Sequence, residues 1–225
     1  MMAVLISSLL GGCASSERPQ KAEAPETSAK PSPSASARSR DAMADEARWG
    51  EFPSKRFGLR LPLPDGHAWR IDDHTGRFLV AIHTSTESEL AVRLWREDEV
   101  VNRQRCEAKA RVLRTLPERT GAELVDRRAA LVPAEFDTVV ETFVVPAKAQ
   151  GQSITAFALA FGGLERKCFA YVFTTRAAGA GAEQAVGDRL GAMVRGSLER
   201  LSFSGELEQR VERPKAFEEP GAPPR

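Results

Sequence analysis

Histidine, cysteine and tyrosine are scarce in this chain, at three, three and one of 225 residues. His67, His74 and His83 do not form the close helical pair of a His-Glu-x-x-His centre, so that metal site is excluded. No Gly-x-Ser-x-Gly elbow occurs and no phosphate-cradling glycine loop. Their absence removes the α/β-hydrolase and P-loop classes. An excess of one charge is missing too. Thirty-two Lys and Arg against 31 Asp and Glu leave a formal charge of +1, so no global field draws nucleic acid. Long apolar runs are absent beyond Leu10, whereas a membrane-spanning helix needs about 20 such residues. No internal repeat is present.

The first thirteen residues carry the most specific signal. An apolar run from Ala3 to Leu10 ends in Gly11, Gly12 and Cys13. It is too short to span a bilayer, but it fits the apolar region of a secretory signal followed by small residues. Leu10-Gly11-Gly12-Cys13 resembles the lipobox of bacterial lipoproteins. The resemblance implies cleavage after residue 12, lipidation of the Cys13 thiol and acylation of the new amino group. It departs from the pattern at Met1-Met2, where signals carry positive charge. Ala14, and not Asp, follows the cysteine. In the enteric sorting pattern this implies the outer membrane, with the protein facing the periplasm.

Residues 14–48 are rich in Ser, Ala, Pro and charges of both signs. Such a composition buries too little surface to offset its ordering entropy, so a disordered tether is expected. The stretch from Ser204 to Arg225 has the same character. The expected organisation is a signal over 1–12, a lipidated tether over 13–48, one domain over 49–203 and a disordered tail over 204–225.

Within the domain, alternation of apolar and polar residues predicts strands over 57–63, 69–71, 77–83 and 89–95. Pro62 marks the first as an edge strand. A helix is expected over 98–116, with Asp98 and Glu99 in its first turn and Cys106, Ala110, Leu113 and Leu116 facing the core. Its basic residues are interleaved with Glu99 and Glu107 and read as a solvated face. Four consecutive strands follow over 123–132, 136–146, 153–161 and 166–175, with Gly162-Gly163-Leu164-Glu165 as the last turn. The final two are apolar on both faces and should be covered on both. A second helix over 182–200 carries Val186, Leu190, Met193, Ser197 and Leu201 as its stripe. Its Gly187 and Gly191 suit tight packing on a sheet.

The expected fold class is therefore α+β: an antiparallel sheet of about six strands with helices on its faces. The element order is similar to the PsbP-like α/β/α sandwich. The matching residues are Phe57-Gly-Leu-Arg-Leu-Pro-Leu-Pro before Trp69, the strands of 136–175, and the helix closing into Leu201-Ser-Phe203.

Candidate chemistry is thin. Asp72-Asp73-His74 offers oxygen and nitrogen donors, but adjacent side chains on an extended backbone point apart, so no metal and no cofactor is expected. Phe143, Phe157, Phe169, Tyr171 and Phe173 form an aromatic set that either lines a ligand pocket or fills the core. With Cys13 lipidated, Cys106 and Cys168 remain. They form a disulfide, which an oxidising compartment favours, or stay as two buried thiols. Helical spacing on one side and period-two alternation on the other set the first helix over the Cys168/Ala170/Val172 face. The C-terminal helix then covers Phe169, Tyr171 and Phe173.

The function expected from these features is a membrane-anchored envelope lipoprotein with a non-catalytic binding or assembly domain. Its partners are the membrane, through the lipid, and an envelope protein, with no nucleic acid. The alternative is a carrier of a small apolar ligand between sheet and helix.

Overall fold

The computed structural model describes residues 48–130, 136–147 and 153–203. The lipobox with Cys13, the expected tether and the expected tail lie outside these residues. The described chain is an α+β fold built on two antiparallel sheets and two helices.

The large sheet contains seven strands. They are β3 (Trp69–Asp72), β4 (Leu79–His83), β5 (Ser88–Arg96), β6 (Glu123–Ala130), β7 (Asp137–Val145), β8 (Ile154–Leu164) and β9 (Lys167–Ala177). Their spatial order is β3-β4-β5-β9-β8-β7-β6, so β3 and β6 are the edges. Helix α1 (Arg103–Leu113) follows β5, and α2 (Ala182–Ala192) follows β9.

β8 and β9 are the centre, and their register explains the two-sided burial. Ala158 pairs with Phe173, Ala160 with Tyr171 and Gly162 with Phe169 on one face. Leu159 pairs with Val172, Phe161 with Ala170 and Gly163 with Cys168 on the other. Each face thus matches large side chains on one strand to small ones on the next, which keeps the surface level enough for a helix to pack on it. The core on one face joins Cys168, Ala170 and Val172 to Cys106 and Ala110 of α1. On the other, Phe169, Tyr171 and Phe173 meet Val186, Leu190 and Met193. The assignment of helices to faces holds.

The large sheet has one strand more than the expected six, and a separate three-stranded sheet holds β1 (Gly50–Ser54), β2 (Leu59–Leu63) and β10 (Ser202–Phe203). Leu59, Leu61 and Leu63 enter the same core as Met193, Val194 and Leu198. β2 is the middle strand of this sheet and not an edge. Proline is accommodated because β10 pairs only with Leu59 and Arg60, leaving Pro62 beyond its reach.

Two other boundaries differ from the sequence reading. α1 begins five residues later than expected, after Asn102, whose side chain accepts from the Arg105 amide. The stretch before it runs alongside the β8–β9 turn, where Glu97 and Val101 donate their amides to the carbonyls of Arg166 and Glu165. Asp98 and Glu99 therefore precede the helix. Gly162, Gly163 and Leu164 belong to β8, and Leu164 pairs directly with Lys167. Glycine is required there by close approach. A Cβ on Gly163 would lie 2.7 Å from the backbone carbon of Asn102, and one on Gly162 would lie 2.3 Å from Thr138 Oγ1.

Candidate functional site

The two helices cover the sheet unequally. On the α1 side, Cys106 and Cys168 form a disulfide with Cα atoms 5.3 Å apart. Around it, Glu107 binds Arg111 at 3.0 Å and also Arg119, while Arg119 reaches Glu141 of β7 at 2.6 Å. Arg127 of β6 joins Glu141 at 3.4 Å. Burial pushes the Glu107 carboxyl up, but hydrogen bonds from Arg119 and Arg111 outweigh it and hold it below the usual carboxylate range. Ion pairs thus fasten this side from α1 out to the β6 edge, where Leu124 is left exposed.

The α2 side is open at the same edge. α2 packs on β8 and β9, Val140 of β7 is buried in the same core and Val144 is half-buried against it, while the adjoining face of β6 is exposed. The result is a cleft of about 700 Å³ between sheet and helix. Its apolar surface comes from Val125, Val144, Ile154, Val186, Leu190 and Val194. Register fixes its direction. Arg128 pairs with Val140, Val140 with Ala160 and Ala160 with Tyr171, whose hydroxyl donates to the Met193 carbonyl at 3.1 Å. Met193 therefore lies level with Arg128, and β6 and α2 run the same way along the cleft. Glu123 and Glu183 stand at the starting end, and Arg128 and Arg195 at the other.

Gly187 and Gly191 line this cleft. They do not pack on the sheet as the sequence reading held. Nothing lies within 4 Å of a Cβ placed on Gly187, and Gly191 makes room for the guanidinium of Arg195. Beyond Ala192 the helix widens into a π-turn, Met193–Leu198. Tyr171 bonds its first carbonyl, and burial pushes the Tyr171 phenol up.

The aromatic set lines no pocket. Phe143 and Phe157 stack on the α1 face with centroids 5.0 Å apart, and Phe169, Tyr171 and Phe173 are fully buried on the α2 face. The strand order explains this: those three strands lie inside the sheet, each flanked by neighbours on both sides.

The histidines divide by burial. His67 is exposed in the turn before β3. His74 is exposed and bonds Asp73 at 2.9 Å. Ser54 also donates to Asp73, at 3.2 Å. Aspartate thus stands between serine and histidine, whereas nucleophile activation needs the imidazole between hydroxyl and acid. Asp72 turns the other way, accepting from the amides of His74 and Thr75. The Thr75 hydroxyl bond and these amides hold the Asp72 carboxyl down at about 2. No cluster of three or more metal-type donors occurs among the described residues.

His83 was not singled out by the sequence and is fully buried. Its Nδ1 meets Thr86 Oγ1 at 2.7 Å, and the chain continues through Ser88 to Thr175 at 2.9 and 2.8 Å. Buried Arg189 donates to the carbonyls of Thr86 and Arg176, both at 2.9 Å. The nearest carboxylate to His83, Asp65, is 3.7 Å away, beyond hydrogen-bond reach. This network fastens the β4–β5 turn to β9 and α2. Only the Arg of α2 that breaks the apolar stripe could have hinted at it.

No family model matches the chain, and no curated protein matches it. Among solved structures it is similar to a crystal structure from Bacteroides thetaiotaomicron, at 12% identity and a TM-score of 0.38 over 69% of this chain. The chain spans 48% of that structure's length. It is also similar to the solution structure of the cyanobacterial PsbP protein CyanoP from Synechocystis, at 12% identity and a TM-score of 0.37. That likeness covers 71% of this chain and 94% of the other. Fold and cleft together define an α+β domain with one closed and one open face.

Proposed function

We propose that this chain is a lipid-anchored protein of the bacterial cell envelope, facing the periplasm from the outer membrane, and that its folded domain is a non-catalytic binding module. The observation that carries the binding reading is the open cleft between α2 and the β6–β7 end of the sheet. A concave site of that volume, with apolar side chains on both its sheet wall and its helix wall, has the form of a binding site. The anchoring reading is supported by Leu10-Gly11-Gly12-Cys13. A disulfide between α1 and β9 is in keeping with an oxidising compartment.

A second reading has one observation in its favour. The cleft volume falls within the range of small-ligand sites, about 300–1,000 Å³, so it could carry an apolar molecule.

One experiment addresses both halves. A photo-crosslinking residue at Val125, in the cleft, is compared in living cells with one at Val112, on the outer face of α1. A discrete protein adduct at Val125 only supports the binding module, whereas a lipid-mass adduct supports the carrier. Equal labelling at both positions overturns the assignment of function to the cleft. In the same cells Cys13→Ser should release the protein from membranes and remove the acyl mass. Retention on membranes with no acyl mass on the wild type overturns the anchor.

A further inference from the structure

We propose that the β6 edge takes an extended segment of a partner polypeptide as an eighth strand antiparallel to β6, with the side chains of one face turned toward the cleft. This rests on the binding-module reading and names its partner class. Four features of the site argue for it.

First, β6 ends the large sheet, so its outward backbone N–H and C=O groups have no strand partner among the described residues. It is eight residues long, whereas the opposite edge, β3, has four. A short edge is a usual protection against strand addition, and β6 does not use it. Second, its exposed side chains are apolar where they need not be. Leu124 is 54% exposed and Val125 64% exposed. The bulge between Leu124 and Asp126 turns Val125 to the cleft side with Glu123, Asp126 and Arg128. Third, the arginines that guard such an edge are tied back. Arg127 is held by Glu141 at 3.4 Å and Arg128 by Glu199 at 2.8 Å, which draws both toward the faces of the sheet.

Fourth, the cleft has electrical direction. Glu123 and Glu183 lie at one end, and Arg195 lies at the other, folded over Gly191. Glu183 and Arg195 are twelve residues apart along the helical stretch, about 18 Å. That is the length of five or six residues of extended chain. A segment antiparallel to β6 meets Arg195 first and the two glutamates last. The matching partner therefore has an acid near its N-terminal end, apolar side chains at alternate positions, and a base near its C-terminal end. Gly187 is the open middle of the wall, where such side chains enter.

The probe is the blocked heptapeptide acetyl-Asp-Ser-Val-Ser-Val-Ser-Lys-amide, whose Asp, Val, Val and Lys share one face when extended. Its control exchanges the terminal Asp and Lys. Each is titrated to about 2 mM, the range of a weak single-strand contact, into the full-length 15N-labelled chain carrying Cys13→Ser. The first peptide is expected to shift amides of β6 and α2 and to bind at least several-fold tighter than the control. Arg195→Glu should reverse that preference. Gly187→Leu fills the cleft from an open position and should abolish the shifts while leaving amides of β4, β5 and α1 unmoved.

Absence of shifts at β6 overturns strand addition, as does equal response to both peptides or indifference to Gly187→Leu. Broadening of β6 signals with protein concentration alone would assign the edge to a second copy and overturn the proposal. Saturation of the cleft by laurate, with no peptide response, would replace it with the carrier. If the peptide fails while Val125 still crosslinks to one protein in cells, strand addition falls and the binding module stands.

Discussion

The α1 side and the α2 side of the sheet share the same two central strands and end differently. α1 is bound to the sheet by the Cys106–Cys168 bond and by ion pairs that continue through Arg119 and Glu141 to Arg127 on the edge strand. α2 packs comparably over β8 and β9, and among the described residues the ion pair that reaches β6 from this side is Arg128–Glu199, just beyond the π-turn. Glycine shows the same contrast. Gly163 is needed because the backbone before α1 presses on it, whereas Gly187 touches nothing. A fold can spend its covalent and ionic fastenings on one face and so leave the other incompletely covered.

The largest expected break in this contrast is loss of the disulfide. The bond closes a loop with a sequence separation of 62, worth about 4 kcal/mol in the chain-entropy model. Cys106→Ala with Cys168→Ala should lower the denaturant midpoint strongly in oxidising buffer. The difference from wild type should shrink once both proteins are measured in reductant. Equal midpoints in oxidising buffer would mean that α1 is held by packing alone.

The second test sets one glycine against another. Gly163→Ala forces a methyl against Asn102 and should cost about 1–3 kcal/mol, as overpacking does. Gly187→Ala meets open space and gains helix propensity, so it should stabilise by up to about 1 kcal/mol. Thermal melts of the two variants should move in opposite directions. Movement in the same direction would contradict the reading of the α2 side as open.

The smallest effect concerns Glu107. Its carboxyl is held below the ordinary value of 4.5 in the folded state. The stability it contributes is therefore present above the unfolded value and is lost as pH falls through the lower folded value. Arg119→Met should be less stable than wild type near neutral pH, and the gap should close as the pH falls through the lowered folded-state value of Glu107. A gap that persists in acid would assign the role of Arg119 to its packing over Phe143, 5.8 Å away.

Much of the closed side was legible in the sequence. Period two in β9 separates Cys168, Ala170 and Val172 from Phe169, Tyr171 and Phe173, and period 3.6 in α1 brings Cys106 and Ala110 together. Those two periodicities suffice to assign each helix to a face. The open side was not legible, because amphipathic pattern reports which stripe of a helix is buried and not how far along the sheet the helix extends. Gly187 and Gly191 therefore looked like packing positions. Gly162 and Gly163 looked like a turn for a related reason: a glycine required by a neighbour distant in sequence carries the same local signal as one required by a bend. The start of α1 was misplaced because acidic residues suit a helix N-terminus wherever they fall, while Asn102 gives the actual cap.

The small sheet has a mechanical consequence. β1 and β10 both pair antiparallel with β2, so they run parallel to each other on its two sides. Tension applied between residues 50 and 203 pulls one backward and the other forward along the strand direction. The load is a shear on β2, shared between five register pairs on the β1 side and two on the β10 side. The weaker β10 pairing yields first and releases the chain as far as the π-turn, while the seven-stranded sheet and the disulfide have carried none of the initial load. A domain held at both ends would thus have a fuse at Ser202–Phe203, and its β6 edge would survive the first rupture.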